Sequence, residues 1–377
     1  MYVGTKWRMT KDSKIVRYLL GWTMLVLSAC GQINDDLSNC EPIQPEEQFE
    51  LNYELKLVTN MTTELKTQLN TVTEIEVGNA LKDRLKGIFS DFARDVDLSF
   101  YDVAIDSIRL HHESHVMNDS TGSYTLNLPM REYMHLASAN IVDNSLVSIK
   151  YDDRCHTACL SQIVGDTIDS HETGLYSARS NMDVLGDVSQ TFDVKLYMVN
   201  AAAALVVDTT QVKYKSFRAY ARGLATEFLM ADSTYVFPEN SPYVRAKELV
   251  LSDTLNQVGF CMIGFPSRNP NGWWIREKTE NVAKYQKDVP FTRTEGEIIP
   301  EGGSDGEPLW EFDAYVMLED GSVTKTVLTI TEPLLAGELK IIKARMDSKG
   351  VVEPTDLKVG VSVTLDWTEG RDFETEL

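Results

Sequence analysis

The chain has 377 residues, 43% of them hydrophobic, and carries 36 Lys and Arg against 57 Asp and Glu, a net charge of −21. That balance excludes a nucleic-acid binder, which needs clustered cations to neutralise phosphates, and it disfavours contact with anionic lipid except through acyl chains. The apolar content suffices for two compact domains.

Residues 1–29 read as an export signal. Lys6, Arg8, Lys11, Lys14 and Arg17 precede the apolar run "YLLGWTMLVL" from Tyr18 to Leu27, a basic n-region followed by a short h-region. Ten residues rise only about 15 Å as a helix, half of a hydrocarbon core of about 30 Å, so the segment is cut rather than kept as an anchor. Leu27, Ser28, Ala29 and Cys30 resemble a bacterial lipobox, which implies a diacylated Cys30 as the first mature residue. Cleavage there removes five basic residues and Asp12 and leaves a net charge of −25. Gly31 rather than Asp after the cysteine, with Asp35 and Asp36 close behind, resembles outer-membrane sorting and surface-export signals. Residues 30–47 are expected to be a solvated tether.

Alternation dominates the mature chain. In "FELNYELKL", Phe49, Leu51, Tyr53, Leu55 and Leu57 share one face and Glu50, Asn52, Glu54 and Lys56 the other, the pattern of a half-buried strand. The same period recurs in "SYTLNL", in "FDVKLYMV" and in "VGVSVTLDW" near the end. Turn signals such as "NDSTGS", "EGGSDG" and "LEDGS" separate such runs, which predicts all-β sandwiches. One segment breaks the period: Leu81, Leu85, Ile88, Phe89 and Phe92 stand at helical spacing with Asn79 placed to cap, predicting one short amphipathic helix. The small residues of "VNAAAALVVDTT" suit a close-packed central strand or the opening strand of a second domain. The expected division is an N-terminal domain over 48–185 and a C-terminal domain over 186–377.

Chemistry is sparse. "HHESH" (His111, His112, His115), "CHTAC" (Cys155, His156, Cys159) and His135 have zinc-type ligand chemistry, but on a strand His112 points away from His111 and His115 and the Cys spacing is looser than paired CxxC, so no metal site is expected. No G-x-S-x-G, H-E-x-x-H, phosphate loop or dinucleotide fingerprint occurs, so no catalytic residue and no enzyme activity are expected. No cofactor is called for beyond acyl lipid on Cys30. An exported chain permits disulfides; Cys40, Cys155 and Cys159 are the candidates for one bridge, while Cys261 sits in the apolar run "QVGFCMIGF" as a buried thiol. Trp273 and Trp274 in "NGWWIR" offer a stacking platform, the basis of a second reading as a surface glycan-binding lipoprotein.

Taken in order, the lipobox, "FELNYELKL", "YTLNLPMREYMHLASAN" and "VGVSVTLDWTEG" resemble the lipidated anchor or accessory subunits of fimbrillin-type (type V) pili. The family pattern Y-x-L-x-LP-x-x-x-Y, followed by a small residue and Asn, is matched by Tyr124, Leu126, Leu128, Pro129, Tyr133 and Asn140, with Arg131 and Glu132 where a glycine is common. The resemblance implies two tandem transthyretin-like (Greek-key) β-sandwiches and a non-enzymatic protein of the cell outer membrane that anchors or terminates a pilus and supports adhesion. In that family, shaft subunits lose an N-terminal strand to an Arg-specific protease and accept a neighbour's strand, whereas anchors keep theirs. Here no arginine lies between Arg17 and Arg84, which favours retention of lipid and strand. The implied partners are a fimbrillin shaft subunit and the membrane. The candidate donor strand is Val359, Val361, Val363, Leu365 and Trp367, on one face of "VGVSVTLDW", which equally suits a closing strand of the second domain.

Overall fold

A computed structural model describes residues 46–58, 75–86, 93–105, 107–117, 123–163, 165–186, 189–252, 255–269, 308–355 and 359–366. Among the described residues, twenty-two strands, numbered β1–β22 in chain order, form four sheets, and there is a single α-helix, α1 (Ile75–Lys86). The expected all-β class is therefore observed.

The first sheet has seven strands: β1 (Gln48–Val58), β2 (Asp95–Asp102), β3 (Arg109–Val116), β4 (Ser123–Pro129), β5 (Glu132–Ala139), β9 (Tyr176–Asp183) and β10 (Thr191–Met198), in the order β3-β2-β5-β9-β10-β1-β4. Sequence alternation maps onto burial. Leu51 and Tyr53 of β1, Leu126 and Leu128 of β4, and Val194 and Leu196 of β10 turn inward, while Glu50, Asn52, Thr125 and Asn127 stay in water. Helix α1 lies on this core through Val77, Leu81 and Leu85, as amphipathic spacing requires. Asn79 stands inside the helix rather than capping it; Ile88, Phe89 and Phe92 lie outside the described residues.

A five-stranded sheet follows, in the order β16 (Lys247–Glu248), β17 (Gln257–Gly264), β11 (Ala201–Asp208), β20 (Leu339–Met346) and β21 (Val352–Pro354). Its central β11 is buried on both faces. Ala202, Ala204 and Val206 face the core of the seven-stranded sheet, while Ala201, Ala203, Leu205 and Val207 face a second core. That is why the run is alanine-rich: a strand between two packed layers lets both approach closely only if its side chains are small. The second core is closed by a six-stranded sheet in the order β22 (Val359–Asp366), β19 (Val323–Ile330), β18 (Trp310–Leu318), β12 (Tyr214–Arg222), β15 (Tyr243–Arg245) and β8 (Thr167–Asp169).

The fourth sheet, β14 (Thr234–Val236), β13 (Glu227–Leu229), β7 (Cys159–Gln162) and β6 (Val147–Lys150), covers the outer side of the first through Tyr101, Leu136 and Phe228. The division expected at residue 186 falls inside the seven-stranded sheet, because β10, which follows it, pairs with β1 and β9. The halves also exchange strands: β8 joins the second sheet by pairing with β15, and β13 pairs back onto β7. The chain turns from the first sheet to β11 at Asn200, whose side chain accepts from Leu175 N (3.1 Å) and donates to Thr173 O (2.9 Å).

Candidate functional site: the seat of the N-terminal strand

β1 is an inserted strand. It runs parallel to β10, with Tyr53 opposite Phe192 and Leu55 opposite Val194, and antiparallel to β4, with Phe49 opposite Leu128 and Leu51 opposite Leu126. Main-chain bonds hold it on both sides, and its inward side chains fill the groove between its neighbours.

One polar contact fixes it in register. Tyr53 is fully buried, and its hydroxyl lies 2.6 Å from His135 Nε2 on β5, while His135 Nδ1 lies 3.0 Å from Ser99 O. A carbonyl only accepts, so Nδ1 carries the proton, Nε2 is the acceptor and the Tyr53 hydroxyl donates to it. Phe100 stacks on the imidazole at 4.3 Å and the Tyr53 ring meets it edge-on at 5.4 Å. Burial pushes the His135 pKa down to about 4, so the ring is neutral at physiological pH.

Side chains also link the two edges of the sheet. Tyr124 of β4 packs against Tyr53 (6.4 Å) and against His115 of the far edge strand β3 (4.7 Å), and its hydroxyl meets Met117 Sδ. The sheet is therefore so curled that its first and last strands touch through side chains. On β3, His111 and His115 share a face, as the strand period requires, and both bond Glu113, at 2.6 and 2.9 Å. Burial raises the Glu113 pKa, but the two imidazole hydrogen bonds outweigh it and hold the carboxyl below its ordinary range. His112 points the other way, to Asp97 Oδ2 at 2.6 Å. Among the described residues no group of three His, Cys, Asp or Glu side chains is placed to hold a metal ion.

Of the other residues singled out by sequence, Cys155, Cys159 and Cys261 are buried free thiols, and burial pushes their pKa values up to about 11, 11 and 12. Cys30, Cys40, Trp273, Trp274 and Trp367 lie outside the described residues. The candidate donor strand is β22, paired antiparallel with β19 at the edge of the six-stranded sheet. Val359 stands opposite Ile330 and packs on the second core; Val361 stands opposite Leu328 and is 44% exposed. Val363 and Leu365 fall opposite Thr326 and Thr324 in the ladder. Sequence alternation alone does not reveal the partner of Tyr53, because His135 is 82 residues away and its burial depends on where β5 sits.

No protein-family model and no curated protein matches the chain. Solved structures similar to it include a candidate adhesin from Bacteroides ovatus (14% identity, TM-score 0.46, covering 79% of this chain and 86% of that one). The fimbrial anchor protein Mfa2 from Porphyromonas gingivalis is 9% identical, with a TM-score of 0.42 over 84% of this chain and 99% of that one. A fimbrial assembly protein from Parabacteroides distasonis is 13% identical, with a TM-score of 0.38 over 85% and 100%. They are of the adhesin and fimbrial class that the sequence resembles; at these scores the likeness carries no argument about the site.

Proposed function

We propose that this protein is a non-enzymatic lipoprotein, held at the outer membrane by acyl chains on Cys30, that anchors or terminates a pilus by strand addition with a fimbrillin subunit. The observation that carries the reading is the seat of β1. The groove that a shaft subunit would leave open for a neighbour is filled by this chain's own first strand, and the sequence ahead of it offers an Arg-specific protease nothing to cut after Arg17. A subunit whose groove is already occupied does not accept a neighbour there and so ends a fibre.

The polymer contact is then assigned to β22. It is an edge strand, paired on one side only among the described residues, and a strand edge of this kind binds another strand through its main chain while alternate side chains fill pockets. Replacing Val361 and Leu365 together by Asp is expected to abolish pilus attachment and leave lipidation intact; unchanged anchoring in that variant would remove β22 from the contact.

The decisive experiment is the intact mass and membrane fractionation of native protein beside Cys30→Ala, with co-purifying proteins identified. A diacylated chain beginning at Cys30 and bound to a fimbrillin supports the reading. A soluble, unlipidated chain, or one trimmed beyond β1, overturns it.

A further inference from the structure

Five apolar side chains stand in solvent at one end of the seven-stranded sheet: Val103, Ile105 and Ile108 in the β2–β3 turn, Met130 in the β4–β5 turn and Leu185 after β9, exposed from 39% (Ile108) to 60% (Met130). Singly exposed apolar residues are ordinary, but a contiguous set marks a contact surface. These turns are contiguous. Val103 N bonds Glu132 O at 3.3 Å and Arg131 pairs with Asp102, tying the first turn to the second. Val184 N bonds Arg131 O at 2.9 Å, and a side-chain carbon at Gly186 would lie 3.3 Å from Phe49 and 3.4 Å from Met130, joining the second to the third.

This is also the end where β1 begins. Gln48 pairs with Pro129, the last residue of β4, and Phe49 packs at the rim of the core beneath Met130 and Gly186. Residues 31–47 span at most about 60 Å even when fully extended. A chain acylated at Cys30 would therefore be joined to the bilayer at the Gln48 end, which brings the tips at this end within reach of the headgroups. The charges flanking the tips suit a neutral surface: Arg131 is paired with Asp102 and Arg109 with Asp152, and the exposed acids Glu46, Glu47, Glu132, Asp153 and Asp183, set against the exposed Arg154, disfavour an anionic one.

From this we infer that the turn tips carrying Val103, Ile105, Ile108, Met130 and Leu185 form a membrane-seating surface that rests in the headgroup region of a zwitterionic phospholipid leaflet. The inference rests on the proposed tether at Cys30, and it goes further: the lipid fixes where the protein is, while the tips fix which way it points. Shallow insertion of this kind buries side chains about 5–10 Å into the headgroup and acyl boundary.

The test uses mature chain carrying a histidine tag in place of Cys30, bound to zwitterionic vesicles that contain a nickel-chelating lipid, so that seating is read without native acylation. In a Cys40→Ser background, where Cys155, Cys159 and Cys261 are buried, Ile105→Cys, Met130→Cys and Val116→Cys are each labelled with an environment-sensitive fluorophore. Val116 is an exposed residue at the far end of β3. The expected result is about twofold or greater quenching at positions 105 and 130, and none at 116, by lipids carrying a nitroxide high in the acyl chain. Quenching at none of the three positions, or equally at all, overturns the inference. Mass analysis of native protein reports on Cys30 separately, so the two readings fail independently.

Discussion

At the scale of single residues, His135 and His171 tie stability to acidity. Both are buried and neutral, and burial lowers each pKa to about 4 from an ordinary 6.5. A histidine lowered in this way contributes stability that is fully present above pH 6.5 and lost as pH falls toward 4, because the unfolded chain takes up the proton first. Each site accounts for about 2–3 kcal/mol of loss by pH 4.5. His135→Phe is therefore expected to weaken the fold at pH 7 by about 1–3 kcal/mol, since the Tyr53 hydroxyl loses its acceptor, yet to show a shallower decline between pH 6.5 and 4.5. Urea denaturation of the two proteins across that interval is the check; identical slopes would show that His135 does not titrate on unfolding. The buried Tyr53 is legible from the alternation of "FELNYELKL", while its partner is not, since a histidine gives no local sign of whether it will be covered.

At the scale of elements, the inserted strands are the most constrained. β11 has a core on each face, so enlarging either row of alanines meets packed atoms. Ala203→Leu and Ala204→Leu are each expected to cost about 1–3 kcal/mol, read as a lowered denaturation midpoint. A substitution that costs nothing would mean that one of the two layers is loosely packed. The run of small residues by itself announces a close-packed strand, and β1, β4 and β10 follow their period-two pattern. Helix α1 is legible from Leu81 and Leu85, but its start is not: Asn79 has the chemistry of a cap, and the helical turn bearing Val77 precedes it. A capping residue states a preference that a packed apolar side chain two residues earlier overrides.

At the scale of the whole molecule, the described residues from Gln48 onward pack as one compact unit, and strands are exchanged across the expected division at residue 186. Among the described residues, three of the first half, Thr167–Asp169, enter the six-stranded sheet, and two short strands, Glu227–Leu229 and Thr234–Val236, return to the first half. Such partners are set by pairing across the fold, which hydrophobic period does not encode. The proposed binding surfaces are legible to different degrees. The lipobox-like run ending at Cys30 and the alternation of β22 stand in the sequence, whereas the apolar turn tips belong to three separate loops that only the fold collects.

The way β1 is held has a mechanical corollary. Its main chain pairs with β4 over Gln48–Glu54 and with β10 over Asn52–Val58, and in the proposed anchor a pull transmitted from the membrane would enter at Gln48, along the strand's own axis. Traction in that direction shears the two ladders, loading their bonds together instead of peeling them apart one after another. In that proposed role, a fibre tugged by flow would meet resistance from the whole strand at once, and the first described strand would serve as a rivet set lengthwise to the load.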